Sequence, residues 1–315
     1  MRLINLVPTD TRIDFMRVRK LAAVLSLLLC AASIGLFFAK GLNYGIDFRG
    51  GILIEIRTEQ PADMGQLRST LGGLGLGEVQ LQEFGRDTDV LIRIERQAGG
   101  EKEQLAAVNT AKEALGDAVD YRRTEFVGPK VGAELIEAGI TAVLLAMAAM
   151  LVYIWFRFEW QFGVGAVVAL LHDVLLTIGI FSLMGLEFNL STVAAILTIA
   201  GYSINDTVVV YDRVRENLRK FKQMPLPDLL NLSINGTLSR TLLTSVTTLL
   251  ALLALFFFGG EVIKGFSFAM IWGIVVGTYS SIFIAVPLLV YMNLRRTGLI
   301  VGEDDDEPAT ENPAG

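Results

Sequence analysis

The sequence holds one cysteine and one histidine. Cys30 has no partner for a disulfide within the chain, and His172 alone is too few for the usual His and Cys metal cages. Disulfide scaffolds and zinc sites are therefore excluded, and no cofactor is expected. Charge is also sparse. Charged residues make up 19% of the 315 and hydrophobic ones 52%, against about 25% and about 45–50% in soluble domains. Mean hydropathy is +0.52, which excludes an ordinary soluble protein. The net charge of -6 is a local matter, because Glu303, Asp304, Asp305, Asp306, Glu307 and Glu311 follow Val301 with no base among them. The rest of the chain is balanced. It carries no basic footprint for nucleic acid, and the acidic pI describes a solvated tail. Cys30 follows Leu27-Leu28-Leu29. A lipoprotein cleavage box wants a small residue where Leu29 stands, so Cys30 is expected to be buried and inert.

What is present is a set of long apolar runs. A membrane-crossing helix needs about 20 such residues, and six runs can be drawn: Leu21 to Phe38, Ala138 to Trp155, Phe162 to Met184, Leu190 to Val210, Thr241 to Phe258 and Phe266 to Met292. The expected fold class is a mainly α membrane protein with one α+β domain outside the bilayer. Its divisions are a cytoplasmic segment 1–20, a first transmembrane helix 21–39, a periplasmic domain 40–137, a five-helix block 138–292 and an acidic, disordered cytoplasmic tail 293–315. Short basic segments fall on one side: Arg2, Arg12, Arg17, Arg19 and Lys20 before the first helix, Arg157, Arg213 to Lys222, and Arg295 with Arg296. Both termini are therefore placed in the cytoplasm. The first apolar run is too long for a signal-peptide core and has no clean cleavage site, so it reads as a retained anchor.

Between the first two helices the pattern changes. Ile52 to Arg57, Val79 to Phe84, Val90 to Glu95 and Asp120 to Phe126 read as strands, Pro61 to Leu71 and Glu101 to Leu115 as helices. The order βαββαβ predicts a ferredoxin-like sandwich. Gly72, Gly73, Gly75 and Gly77 read as a turn, since no strand precedes and no helix follows as a dinucleotide fingerprint requires. No nucleophile and base stand together in the chain, so it is not expected to be an enzyme.

A charged side chain inside the hydrocarbon costs at least about 2.5–3.5 kcal/mol, so each one asks for a reason. Asp206 lies about 9 Å inside the headgroups if Asp212 and Arg213 mark them. Tyr202 and Ser203 share its helix face and are expected to hydrogen-bond it. Arg240 opens the fifth helix at similar depth on an antiparallel neighbour and is expected to meet Asp206. Thr244, Thr247 and Thr248 extend its face as a polar stripe suited to a hydrated proton or ion path. The plainer alternatives are a carboxylate at a helix end and an interfacial arginine. Asp173 falls near the bilayer centre beside His172, either as a relay or as a structural inter-helix hydrogen bond. Adjacent residues point about 100° apart, so His172 and Asp173 are not expected to form a dyad. Ala269, Gly273, Gly277, Ser281 and Ala285 recur every four residues, a stripe for close approach of another helix.

The chain resembles the SecF branch of the SecD/SecF protein-export membrane subunit family. The resemblance rests on Asp47-Phe48-Arg49-Gly50-Gly51, Glu125 to Gly132, Phe156 to Trp160, Leu171-His172-Asp173-Val174, Gly201 to Asn217 and Ser239-Arg240-Thr241 with Thr244-Ser245. These occur in the family's order over most of the chain. The resemblance implies half of an RND-type (resistance-nodulation-division) assembly in the cell inner membrane. Its partners would be SecD, the SecYEG channel with further accessory subunits, and unfolded preprotein. Asp206 and Arg240 would be its proton-coupling pair, with the proton gradient driving export and release, and the proton is favoured over sodium because no sodium cage is legible. Gly45, Gly50, Gly51, Gly128, Pro129 and Gly132 would be hinges, or else tight turns at a domain boundary. A half-sized exporter of small molecules or lipids and a non-transporting scaffold are the rival readings.

Overall fold

The computed structural model describes residues 11–116, 119–127, 129–292 and 294. Arg2, Gly128, Arg295, Arg296 and the acidic tail lie outside the described residues. A short 3-10 turn, Phe15–Val18, is capped by Asp14 and leads into α1, Arg19–Lys40. After β1 (Asn43–Tyr44) and the single-turn α2 (Ile46–Arg49) comes the outer domain: β2 (Gly51–Thr58), α3 (Met64–Gly72), β3 (Val79–Phe84), β4 (Arg86–Ile94), α4 (Glu101–Leu115) and β5 (Val119–Val127). The chain then returns through α5 (Pro129–Arg157), α6 (Trp160–Met184), β6 (Glu187–Phe188), α7 (Leu190–Lys220), α8 (Leu226–Phe258) and α9 (Glu261–Ser280). A π-helical turn, Ser281–Ala285, and α10, Val286–Tyr291, complete it.

Among the described residues, six helices are long and apolar enough to cross a bilayer. Three begin or end well outside the expected limits. The helix expected from Ala138 starts at Pro129, the one expected from Thr241 starts at Leu226, and α7 continues past Val210 to Lys220. An apolar run marks only the part of a helix that meets lipid. The extra turns are amphipathic and pack on protein, with Leu229, Leu230, Ser233 and Ile234 buried at the start of α8. The last span is interrupted where Pro287 has no N–H to give to the preceding turn, and the helix widens into the π turn just before it.

The outer sheet has the order β3-β4-β2-β5 and is antiparallel throughout, the ferredoxin-like arrangement. Strand alternation divides its faces. Ile52, Ile54, Ile56, Val90, Ile92 and Ile94 pack beneath α3 and α4 with Leu71, Val108 and Ala111. Leu53 and Leu91 point the other way and join Ile46 of α2.

Small residues set the helix packing. Lipid gives helices no hydrophobic reason to associate, so van der Waals fit and polar contacts do that work. Ala269, Gly273, Gly277, Ser281 and Ala285 are all buried. The helix they admit belongs to this chain: a methyl at Gly273 would strike Ile199 of α7, and one at Gly277 would come within 3.2 Å of the Ser203 Cβ. At the other end of the bundle, Tyr211 is buried against Phe162 and donates to the Ala285 carbonyl at 3.0 Å.

The basic segments gather at that end. Arg157 pairs with Asp212 at 3.0 Å, Arg215 donates to the Arg157 carbonyl, and Asn231 and Asn235 of α8 accept from the backbone of Met16 and Ile13. The outer domain stands at the opposite end.

Candidate functional site: carboxylates within the helix bundle

Asp206 occupies the inner half of α7. It is 3% exposed, and its Oδ2 is buried with no hydrogen-bond partner. The expected helpers do other things. Ser203, three residues earlier, donates to Asp173 at 2.6 Å, and the Tyr202 hydroxyl is itself buried without a partner. Arg240 acts electrostatically on Asp206, but no ion pair joins the two, and Arg240 is exposed. The expectation of a mutually buried contact is thus corrected. The reason is that Arg240 takes an exposed position on α8, while its neighbour Thr241 takes the inward one.

The threonine stripe shares that outward face. Thr244 donates to the carbonyls of Arg240 and Thr241, Thr247 to those of Leu243 and Thr244, and Thr248 to that of Thr244. Each hydroxyl is thus satisfied by its own helix, as threonines in apolar helices commonly are. Next to that stripe α8 turns inward Thr241, buried with an unpartnered hydroxyl, and Ser245, which bonds Thr278 at 2.8 Å.

Asp173 contrasts with Asp206. It is fully buried, yet its Oδ1 lies 2.9 Å from His172 Nδ1 and its Oδ2 accepts from Ser203 at 2.6 Å and from Ser280 at 2.8 Å. One carboxylate thereby ties α6, α7 and α9 together. The expectation that His172 and Asp173 form no dyad is also corrected. Their Cα–Cβ bonds diverge, but both side chains swing to meet, and the imidazole is held beside Tyr279 with ring centroids 6.0 Å apart. Ser280 was not legible as a partner because its neighbour Ser281 carries the small-residue period.

The outer domain is fastened to the ends of these same helices. β1 pairs in parallel with β6, Gly45 N–H donates to the Phe188 carbonyl at 2.9 Å, and Arg93 of β4 bridges Glu187 at 2.5 Å and Asn43 at 3.1 Å. Asp47 accepts from the backbone N–H of Leu190 at 2.9 Å, which satisfies an orphan donor in the first turn of α7. That acceptor role follows from geometry and had no signal in the sequence beyond the motif itself. The glycines of this junction are tightly placed. Gly51 adopts φ +114 with the Ile94 carbonyl directly against it, and a methyl on Gly132 of α5 would sit 3.2 Å from the Phe48 carbonyl. Gly45 faces Glu187 and Asn189, Gly50 closes α2, and Pro129 opens α5.

Cys30 is half-buried, not sealed in the core as expected, because α1 packs on α6 along one side only.

Residues 107–295 match the family model described as Protein export membrane protein SecD/SecF, C-terminal. Residues 35–62 match the SecD/SecF GG Motif. The chain belongs to the SecD/SecF family. It is 49% identical over 297 residues to the Protein translocase subunit SecF of Rickettsia rickettsii (strain Sheila Smith), covering 93% of this chain and 96% of that protein. It is 47% identical over 304 residues to the SecF subunit of Cereibacter sphaeroides, covering 94% of each. Among solved structures it resembles SecDF, a translocon-associated membrane protein from Thermus thermophilus, with a TM-score of 0.83, 40% identity and 92% of this chain covered. A structure of SecDF in Super-membrane-facing form gives a TM-score of 0.67 at 39% identity, again over 92% of this chain. The chain spans 40% of the length of either SecDF chain. The SecD/SecF motifs are those that build the site: the GG motif holds Asp47, Gly50 and Gly51 at the outer end of α7, and the C-terminal model spans both carboxylates. The chain is a multi-pass membrane protein of this family.

Proposed function

We propose that this chain is the SecF-type subunit of the Sec protein translocase, seated in the cell inner membrane with both termini cytoplasmic. Beside a SecD-type partner, it uses the proton gradient to promote export and release of preprotein on the outer side. The observation that carries the reading is Asp206, a buried carboxylate with an unpartnered oxygen on the helix whose first turn is held by the outer domain through Asp47. A proton arriving at Asp206 removes a buried charge, changes its attraction to Arg240 and alters the packing of α7 against α8. The outer end of α7 transmits the change through Asp47, β6 and Arg93, and the outer domain pivots at Gly45 to Gly51 and near Gly132. The unpartnered hydroxyls of Tyr202 and Thr241 give water or a proton places to stop, as buried unsatisfied polar groups often do.

The exposed sides of α5 and α8 support a second membrane subunit. In α8, Arg240 stands exposed with Leu243 and Leu250, and a guanidinium facing lipid at that depth is costly. A SecD-type partner would bury it toward Asp206. On the outer side, a cavity of about 370 Å³ lies between the sheet and the helix ends, with Leu53, Phe84, Phe256 and Phe268 in its walls. Its apolar walls suit an unfolded segment.

The energy is limited. One charge crossing about 100 mV yields about 2.3 kcal/mol, whereas a switch from 1:99 to 99:1 needs about 5.5 kcal/mol. Each stroke therefore uses a larger gradient, more than one proton, or a partial population shift. The test is Asp206→Asn, assayed for preprotein export with and without a proton gradient. Normal assembly with loss of the gradient-stimulated component is expected. Export that stays at the normal rate and still responds to the gradient removes the coupling role.

A further inference from the structure

Asp173 and His172 are buried titratable groups with no part in that coupling. Asp173 is fully buried, accepts hydrogen bonds from Ser203 and Ser280, and lies 2.9 Å from His172 Nδ1. We take Asp173 as an ionised carboxylate, with Ser203 and Ser280 donating to it and His172 supplying its Nδ1 proton. The tautomer of His172 follows, since a neutral imidazole that donates from Nδ1 has a bare lone pair at Nε2. That Nε2 is buried with no partner, on a residue only 4% exposed. His172 lines a groove of about 340 Å³ between α1, α6 and α10, whose other polar groups are Arg19 and Ser26 with Cys30 and Tyr291.

We propose that the His172–Asp173 pair is a second proton-holding site, reached through this groove and tied by Ser203 to the turn that carries Asp206. A proton carried by water from the Arg19 end adds to the Nε2 lone pair. The new N–H bond makes an imidazolium, which keeps its Nδ1–H bond to Asp173. The net charge of the pair goes from minus one to zero, and no other bond changes. Neutralising a charge that the bilayer would otherwise have to accommodate is the driving term. Around the pair, Tyr279 of α9 lies beside the imidazole and Ser203 and Ser280 bond the carboxylate, while Arg19, Ser26 and Cys30 of α1 and Tyr291 of α10 line the groove with His172. Tyr279 is occupied, with its hydroxyl 2.9 Å from Ser26 and donating to the Ala22 carbonyl. Arg19 donates to the Met16 carbonyl, and its Nε is buried without a partner. Ser203 precedes Asp206 by less than one helical turn, and the proposed link through that turn places the pair within electrostatic reach of Asp206.

The inference rests on the proposed role of Asp206 for its purpose, but its test does not use export. His172 is the only histidine in the chain. With this chain labelled at histidine and reconstituted with an unlabelled SecD-type partner, solid-state nitrogen NMR therefore reads one imidazole. The expected spectrum passes from the neutral form with a proton on Nδ1 to the doubly protonated form as pH is lowered from 9 to 5. Asp206→Asn is expected to move the midpoint. Ser203→Ala deletes one hydroxyl while Ser280 still holds Asp173; in that background the response of the imidazole to Asp206→Asn is expected to be smaller. A spectrum that stays unchanged across the range, or that titrates identically with and without the Asp206 carboxylate, overturns the proposal. Failure of the Asp206 reading would appear separately, as unaltered export by Asp206→Asn.

Discussion

Two aspartates a few ångströms of helix apart in depth behave differently because of what surrounds them. Asp173 bonds His172, Ser203 and Ser280 and so joins three helices, and Asp173→Leu is expected to leave Ser203 and His172 without that partner while Ser280 keeps the Gly277 carbonyl. A loss of about 1–3 kcal/mol is predicted for such orphaned polar groups, read as a lowered Tm of the purified protein. Asp206 has an oxygen with no partner. Asp206→Asn should therefore leave the Tm equal or higher, and a marked fall would mean that the carboxylate is there for stability. Outside the membrane the electrostatics are conventional. Asp89 is buried and bound by Arg57 through two hydrogen bonds, at 2.5 and 2.8 Å, and that contact holds its carboxyl below the usual carboxylate range. A lowered folded value means that the stabilisation is complete above the unfolded value of about 3.9 and disappears as pH falls through the folded one. The outer domain of an Arg57→Met variant is expected to melt earlier than wild type at pH 7, with the gap closing at strongly acid pH. Glu55, pushed upward chiefly by burial, contributes in the opposite sense. The sequence made the identity of these aspartates readable. It left their partners unread, because Ser203, Tyr202 and Arg240 each have more than one rotamer and more than one helix within reach.

At the scale of the element, periodicity carried most of the fold. The six spans and the βαββαβ order follow from apolar runs and strand alternation, and the small-residue stripe of α9 follows from its four-residue period. The stripe could not name its partner, since Gly273 and Gly277 admit any helix of suitable shape. Coordinates place Ile199 and Ser203 there. Gly273→Val is expected to force α7 and α9 apart at a cost of about 1–3 kcal/mol, checked by loss of folded yield and faster proteolysis in detergent. Gly265→Ala on the same helix, where an added methyl meets nothing within 4 Å, should be neutral. Helix ends were legible only where lipid ended them. Polar faces that pack on protein, as at the start of α8, carry no apolar run.

For the whole molecule, the question is how an event inside the bundle reaches a sheet outside it. Among the described residues the connections include Asp47 to the first turn of α7, Arg93 to Glu187, and the short pairing of β1 with β6. Asp47→Ala removes an acceptor worth about 1 kcal/mol, so amide hydrogen exchange at Leu190 should rise by about fivefold with the outer sheet itself unchanged. No rise would mean that Asp47 does not hold the helix. The most direct test of the whole account is a distance between spin labels on Asp87→Cys in the outer domain and Met184→Cys at the end of α6, in a Cys30→Ser background within membranes. Imposing a proton gradient should change that distance when Asp206 is present and leave it fixed in Asp206→Asn. An outer domain that moves equally in both would contradict the claim that this carboxylate drives it.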